Sequence, residues 1–486
     1  MLEFIILMIL KEKMLRINGL FDNNYNSQYK SLKYLCPEDF SQFEQLRETL
    51  KPYSRKMLYE LQEQNPNLIV FPADIQDTKD KIHDSVLYTL ENEYGEYPEE
   101  TEITTSNLMG FFGIDSYEIH IHSRFDEKFR NDNFLHYMLS KVFFTNVVDL
   151  PHSTGSDGNL NLLLFAFPVL LNNALKQGLI KEYQTHEYNN PNIRGVIDVQ
   201  RHIRMNIPFN GKVAYKTREH SRDNFTTQLI RHTIEFIKTT DFGRAILEQD
   251  ETTKESVSII NEATPSYSRN DRQFIINKNL NPKIHPFYSE YNPLQKLCIQ
   301  ILRYECLDFK DENEGLYGII FDGAWLWEEY LNTVLADLNL VHAENKNSSK
   351  GIRLFSDRSY WNYPDFYKTG EFILDAKYKK LSRDENMRIT VDSADYHQMI
   401  TYMRVQDAPV GGFVYPLATE KTRAFNKDDL LIGTLNGELS LPGKVYHFPL
   451  QIPQVQYEYN EFVKDIGWNE KNLISNIREV VTNKTI

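Results

Sequence analysis

The pattern of apolar and polar positions changes character along the chain. Up to about residue 100 it is helical with loops: Pro37-Glu38-Asp39 opens one predicted helix, Asn65-Pro66-Asn67 closes another, and the acidic, turn-prone stretch 91–102 reads as a loop. A hairpin is predicted over 108–125, where Tyr117, Ile119 and Ile121 alternate with Glu118, His120 and His122. A helix is expected at 133–144. The stretch 160–183 follows, and its segment 162–171 is apolar all round and carries Pro168. That run is too short for a bilayer, which needs about 20 residues, so a buried, kinked helix is expected. The polar stretch 258–281 reads as a connector, with the next domain starting near Tyr291.

Beyond it, residues 321–338 form an amphipathic helix pattern with the stripe Trp327, Tyr330, Leu331, Val334, Leu335 and Leu338. At about 100° per residue, Glu328 falls on the shoulder of that stripe and Glu329 on the opposite side. Two β-prone runs, Tyr363-Pro364-Asp365-Phe366-Tyr367 and Glu371-Phe372-Ile373-Leu374-Asp375-Ala376-Lys377-Tyr378, flank Lys368-Thr369-Gly370 and predict a hairpin. A second helix is expected at 392–405 with Tyr396, Met399, Ile400 and Met403 packing, and a buried strand at 411–415. The order helix, strand, strand, helix, strand predicts a mixed α/β core. Three segments are expected: 1–100, mainly helical; 101–285; and 286–486.

Composition narrows the class. Hydrophobic residues at 41% and charged residues at 25% are globular values, excluding a chain disordered throughout or a fibre. Cys36, Cys298 and Cys306 lack zinc-ribbon or ferredoxin spacing and read as free thiols of a reducing cytoplasm. No repeat at a period of 20 to 50 residues is visible. The opening MLEFIILMIL is expected to be a buried first strand or helix rather than a signal peptide or membrane span, unless translation starts at Met14. A net charge of −14 argues against coating nucleic acid through global charge. Yet Arg194, Arg201, Arg204, Lys212, Lys216, Arg218, Arg222 and Arg231 reverse the sign locally, either as a solvated face or as a surface that meets phosphate.

The candidate chemistry lies in the hairpin. A turn near Thr369 and Gly370 places Asp365 opposite Leu374 or Asp375, so two carboxylates converge. Alternation puts Asp375 and Lys377 on one face. Two acids so close repel unless a divalent cation joins them, and Mg²⁺ suits a couple of carboxylates, a backbone carbonyl such as that of Ala376, substrate phosphate and waters. Lys377 is then placed to orient or deprotonate a water. Asp-x-Lys strings recur at Asp77, Asp126 and Asp308, but only Pro364 among 19 prolines precedes an aspartate. Glu328 is either a further ligand or a boundary glutamate. Gln398 and Tyr402 share a face with Asp395, open to solvent or to the site.

Together, Glu328, Pro364-Asp365, Asp375-Ala376-Lys377 and Gln398-x-x-x-Tyr402 resemble the PD-(D/E)xK nuclease superfamily in its Gln-x-x-x-Tyr variant. The resemblance implies Asp365 and Asp375 as Mg²⁺ ligands, Lys377 as the catalytic lysine, Glu328 as a further ligand, and Gln398 with Tyr402 as auxiliary residues. Upstream, Gly178-Leu179-Ile180-Lys181-Glu182-Tyr183, Ile193-Arg194-Gly195-Val196-Ile197-Asp198, Arg201-His202-Ile203-Arg204 and Lys216-Thr217-Arg218-Glu219-His220 resemble McrC proteins, the nuclease subunits of McrBC-type restriction systems, with which LlaJI-type systems share their organisation. This likeness covers roughly residues 105–420. It implies an α+β N-terminal partner-binding region before a restriction-endonuclease-like domain with a mixed central sheet. It further implies docking to a hexamer of McrB-type AAA+ GTPase, with GTP held by that partner, and double-stranded DNA as substrate, with nuclease domains pairing to cut both strands. The absence of a Gly-x-x-x-x-Gly-Lys-Ser/Thr loop agrees with a separate GTPase. A stand-alone repair or recombination exonuclease and an inactive scaffold that activates the GTPase are the competing expectations. None of these readings involves a membrane.

Overall fold

The computed structural model describes residues 15–28, 30–36, 40–72, 85–126, 132–143, 158–280, 286–306, 315–343, 351–357, 361–380, 382–383, 389–420, 423–435, 443–454 and 459–482. The apolar opening and the Pro37-Glu38-Asp39 helix start lie outside the described residues. The chain divides into two compact units, one of residues 1–162 with 310–486, the other of residues 163–309.

The first unit contains two sheets. Strands β1 (Leu15–Phe21), β2 (Leu68–Phe71), β3 (Leu108–Ile114), β4 (Tyr117–His122) and β8 (Tyr317–Asp322) form a five-stranded sheet in the order β1-β4-β3-β8-β2. Strands from all three expected segments therefore share one sheet. The first hundred residues, expected to be mainly helical, supply β1 and β2 as well as the strand Tyr88–Glu91. A run of four apolar residues such as Leu68–Phe71 has no period to distinguish strand from helix, so this difference has a local cause. The β3–β4 hairpin forms as expected. Its polar face, however, is covered too, because every residue of Tyr117–His122 is buried. At the centre of the sheet, Gly110 has φ +126°, and a Cβ there would lie 2.2 Å from the Ile319 carbonyl oxygen. Only glycine lets β3 and β8 approach this closely.

The second sheet is formed by β9 (Val341–His342), β10 (Phe366–Lys368), β11 (Phe372–Ala376), β12 (Val410–Thr419), β13 (Leu431–Thr434) and β14 (Lys444–Pro453), ordered β9-β10-β11-β12-β14-β13. Pairs β11–β12 and β12–β14 are parallel and β10–β11 antiparallel, so the sheet is mixed, as expected for an α/β core. Helix α5 (Gly323–Val334) starts later than expected, because Phe321 belongs to β8 and the Asp322 carboxylate caps the helix by accepting the Trp325 N–H at 2.9 Å. Helix α6 (Ser393–Val405) carries Met399, Tyr402 and Met403 into a core with Ile373, Phe413 and Val445. Helices α1 (Asn133–Phe143) and α7 (Tyr459–Thr482) complete the unit. Here Tyr137 and Tyr330 both donate to the buried Glu470 carboxylate, at 2.9 and 2.7 Å.

In the second unit the ribbon β5 (Glu182–Asn190), β6 (Val196–Ile197) and β7 (Val213–Ser221), ordered β5-β7-β6, is joined by α3 (Val199–Asn206) and α4 (Phe225–Ile237). Helix α2 (Gly158–Lys176) keeps Pro168 inside it. Its most apolar window is 67% buried within the protein, as expected for a core helix. The stretch expected as a connector is instead helical at Glu251–Ala263 and Arg272–Asn279. Ile260, Ile275 and Ile276 supply its few buried contacts, too sparse an apolar stripe to predict from the pattern.

Candidate functional site

The hairpin that carries the candidate chemistry turns at Gly370, whose φ of +71° lies in the left-handed region that glycine occupies without strain. Its ladder pairs Lys368 with Phe372, Tyr367 with Ile373 and Phe366 with Leu374. One step further brings Asp365 opposite Asp375. The Asp365 carboxylate accepts the N–H of Ala376 at 2.5 Å, which locks the two strands' acidic ends together. Beneath them Ile373 and Leu374 are fully buried, and each such side chain contributes about 1.5–3 kcal/mol to holding the ladder in register. The Lys377 N–H donates to the Val414 carbonyl at 2.8 Å, extending the match to β12 past the last strand residue.

Lys377 Nζ lies 2.7 Å from Asp375 Oδ2 and 3.1 Å from Asp395 Oδ1. Asp395, on α6, turns its other oxygen to Lys379 Nζ at 2.5 Å, and Lys379 also meets Asp392 at 2.7 Å. Asp395 thus clamps both lysines, a role the sequence reading did not assign. Between them Tyr378 points the other way, into the first sheet, with its hydroxyl 2.9 Å from Ser123 Oγ and its ring against Phe125 and Trp327. That anchor fixes the rotation of the strand at the lysines.

Glu328 is half-buried on α5, and its charge acts on Asp365. His342 on β9 donates from Nδ1 to the Asp365 carbonyl at 2.8 Å, and its Nε2 lies 3.8 Å from both Glu328 and Glu329. Glu329, expected on the far side of the helix, therefore borders the same corner, because neighbours only about 100° apart can both flank one side chain. Gln398 is exposed and donates from Nε2 to the hydroxyl of the buried Tyr402 at 2.8 Å. The structure thus gathers Asp365, Asp375, Lys377 and Tyr402 on one side of the sheet with Glu328 at its border.

Electrostatics follow from burial. Burial, then the charges of Glu328 and Asp375, hold the Asp365 carboxyl well above the ordinary carboxylate range. Asp375 is 4% exposed and also raised by burial, against the pull of Lys377. Burial disfavours the charge on Lys377, but Asp375 and Asp395 outweigh it and hold the ammonium above its usual pKa. Tyr402 is raised by burial and then by the two nearby carboxylates. Two acids that repel at close range fit a hard divalent cation. Asp375 Oδ2 adds to that fit, being buried and close to Lys377 without accepting a well-directed hydrogen bond. Ala376 contributes its N–H to Asp365, in addition to the carbonyl considered from the sequence.

A different surface lies in the second unit. Between residues 193 and 209, Val196 is 79% exposed and Phe209 70%, with Ile193, Val199, Ile203 and Ile207 also exposed. Isolated apolar residues on a surface are ordinary, whereas these six fall close together in the chain. The basic residues around it are partly neutralised: Arg201 pairs with Glu187 at 2.6 Å, and Lys216 with Glu187 and Asp198 at 3.0 and 2.9 Å. Arg231 pairs with Glu235 at 3.2 Å, and Arg218 covers the Tyr183 ring.

Among solved structures, the chain is similar to one of Thermococcus gammatolerans McrB AAA+ hexamers with bound McrC, at 16% identity and a TM-score of 0.41, over 90% of this chain and 93% of that one. It is also similar to the cryo-EM structure of the Thermococcus gammatolerans McrBC complex, at 13% identity and a TM-score of 0.30, over 68% and 89% of the two chains. No curated protein matches. The family described as the McrBC 5-methylcytosine restriction system component matches residues 103–416, more than half of the chain and including the whole Asp365-to-Tyr402 constellation, and the chain belongs to that family.

Proposed function

We propose that this protein is a Mg²⁺-dependent DNA endonuclease subunit of a McrBC-type restriction system, working with a separate AAA+ GTPase. The observation that carries the reading is the β10–β11 ladder, which brings Asp365 opposite Asp375 and sets Lys377 Nζ 2.7 Å from Asp375. Helix α5, the hairpin, α6 and β12 around that ladder form a mixed α/β arrangement that supports the reading of a PD-(D/E)xK nuclease core. Asp365 and Asp375 would hold the ion, with Glu328 beside them. When bound, Mg²⁺ supplies Lewis-acid polarisation of a scissile phosphodiester and lowers the pKa of a water. The protein's own part is to keep Lys377 charged and fixed by Asp375 and Asp395, so that its ammonium faces developing negative charge on phosphate. Tyr402, held by Gln398, lies buried near the two carboxylates and the lysine.

The exposed apolar face at residues 193–209 is the surface we assign to the GTPase partner. Family membership supports a division of labour in which the partner binds GTP, translocates double-stranded DNA and brings nuclease domains together for cleavage. The test is reconstitution of the complex with linear and circular DNA. Asp375→Ala and Lys377→Ala should each abolish cleavage while GTP turnover by the partner is unchanged. Retained cutting by both variants refutes the assignment, and GTP-independent degradation of linear ends alone would favour a stand-alone exonuclease.

A further inference from the structure

We propose that His120, His122 and Asp132 form a second metal site, separate from the carboxylate–lysine site, which takes a borderline divalent cation of the zinc class. The two histidines stand two residues apart on β4 and therefore share one face, with ring centroids 4.3 Å apart. Asp132 precedes α1 in the left-handed region, φ +53°, and places its carboxylate against both rings. Its Oδ1 lies 2.8 Å from His122 Nδ1 and its Oδ2 2.8 Å from His120 Nε2. Among the described residues this is the one set of three His, Cys, Asp or Glu side chains whose donor atoms all lie within 4.8 Å of one another. All three are buried, at 5%, 4% and 7% exposure.

Three features point to a cation. The first is that His120 Nε2 is buried and close to Asp132 but lacks the in-line geometry of a hydrogen bond. The second is the opposite ring nitrogen, Nδ1, which lies 2.5 Å from Asn159 Oδ1. An N–H donated to that amide oxygen leaves Nε2 as a lone pair aimed into the cluster, which is how metal-binding imidazoles are oriented. The third is the donor set itself: two imidazoles and one carboxylate suit Zn²⁺, with water completing four-coordination. Donors about 2.0–2.2 Å from a shared ion stand roughly 3.3 Å apart, so opening the two 2.8 Å contacts by about half an ångström admits it. The competing arrangement is a His120 imidazolium paired with Asp132, in which a proton replaces the ion. A metal here staples β4 to the start of α1. That helix packs Phe134 against Trp327 and Tyr330 of α5, the helix that carries Glu328.

The experiment uses the untagged full-length chain, stripped with a strong chelator and dialysed against Zn²⁺ or Co²⁺ alone. About one equivalent should be retained per chain, Co²⁺ should show the intense visible absorption of a four-coordinate ion, and Zn²⁺ should raise the melting temperature. His122→Gln and Asp132→Asn should lose all three signals, whereas the double variant Asp365→Asn/Asp375→Asn should keep them. Failure of the stripped wild-type chain to take up either ion overturns the proposal without recourse to any variant. A full equivalent retained by folded Asp132→Asn, judged by circular dichroism, overturns it as well.

Discussion

Replacing Lys377 by methionine keeps most of the side-chain stem and removes the charge that sits between Asp375 and Asp395. Lys377 is 17% exposed and Asp375 6% at their side chains, so this is a buried pair, and removing one partner from such a pair costs about 3 kcal/mol. In a large domain that is a melting-temperature drop of about 6 °C. The pH dependence has a definite sign. Asp375 already titrates above its ordinary value of 3.8, and Lys377 is the first influence opposing that rise, so Lys377→Met raises it further. A carboxyl raised in the folded state stabilises the fold fully below its unfolded pKa and loses that contribution as pH climbs through the folded value. Lys377 in the wild type is raised above 10.5, so its own contribution is constant between pH 5 and 8. The deficit of the variant should therefore grow with rising pH in EDTA, and narrow when Mg²⁺ is added. Differential scanning calorimetry at four pH values measures it. Equal melting of variant and wild type at pH 8 in EDTA would refute the reasoning, as would a deficit independent of pH.

Other consequences are simpler to check. Because burial and its acidic neighbours hold the Asp365 carboxyl well above the ordinary carboxylate range, Mg²⁺ binding should favour its ionised form and draw a proton off it. The affinity should then rise from pH 6 to pH 8, and calorimetric heats should differ between buffers of different ionisation enthalpy. Tyr402→Phe removes the 2.8 Å hydrogen bond from Gln398 and should cost about 1 kcal/mol of stability by chemical denaturation, with cleavage reduced less than by loss of Lys377. Gly412→Ala would put a Cβ 2.4 Å from the Phe448 ring on the neighbouring strand, and about 1–3 kcal/mol should be lost in urea unfolding. Phe209→Asp, at 70% exposure, should leave the melting temperature unchanged while weakening stimulation of the GTPase partner in a turnover assay.

The parts of the fold that a sequence reading recovers are those whose causes are local. The 363–378 hairpin is one: a glycine in the left-handed region ends one β-prone run, and a two-residue period fixes which side chains share a face. The five-stranded sheet is the opposite case. Its strand Tyr317–Asp322 pairs with Leu68–Phe71 on one side and Leu108–Ile114 on the other, partners some 200 residues away or more, and nothing within any of these segments names the others. Phe321 fits the pattern of the following helix as well as that of the strand it belongs to, because its apolar side chain satisfies either.

The site divides along the same line. Asp365, Asp375 and Lys377 are legible because one short ribbon holds all three, while Asp395 joins them from a helix, and its bridging of Lys377 and Lys379 depends on how α6 lies over the sheet. The histidines of β4 show why alternation alone does not reveal such a site. Alternation predicts two faces and, by default, assigns the polar one to water, yet Glu118, His120 and His122 are all buried. A buried polar face must be satisfied within the protein, so its residues have to find counter-charges from elsewhere in the chain. Glu118 does so with Arg16 at 2.9 Å, an ordinary ion pair across neighbouring strands. The histidines are met by a single aspartate shared between two rings, and one carboxylate facing two imidazoles at 2.8 Å leaves room in the charge balance for one proton or one metal ion. Metal content and the cobalt spectrum therefore decide between a structural ion pair and a second metal centre.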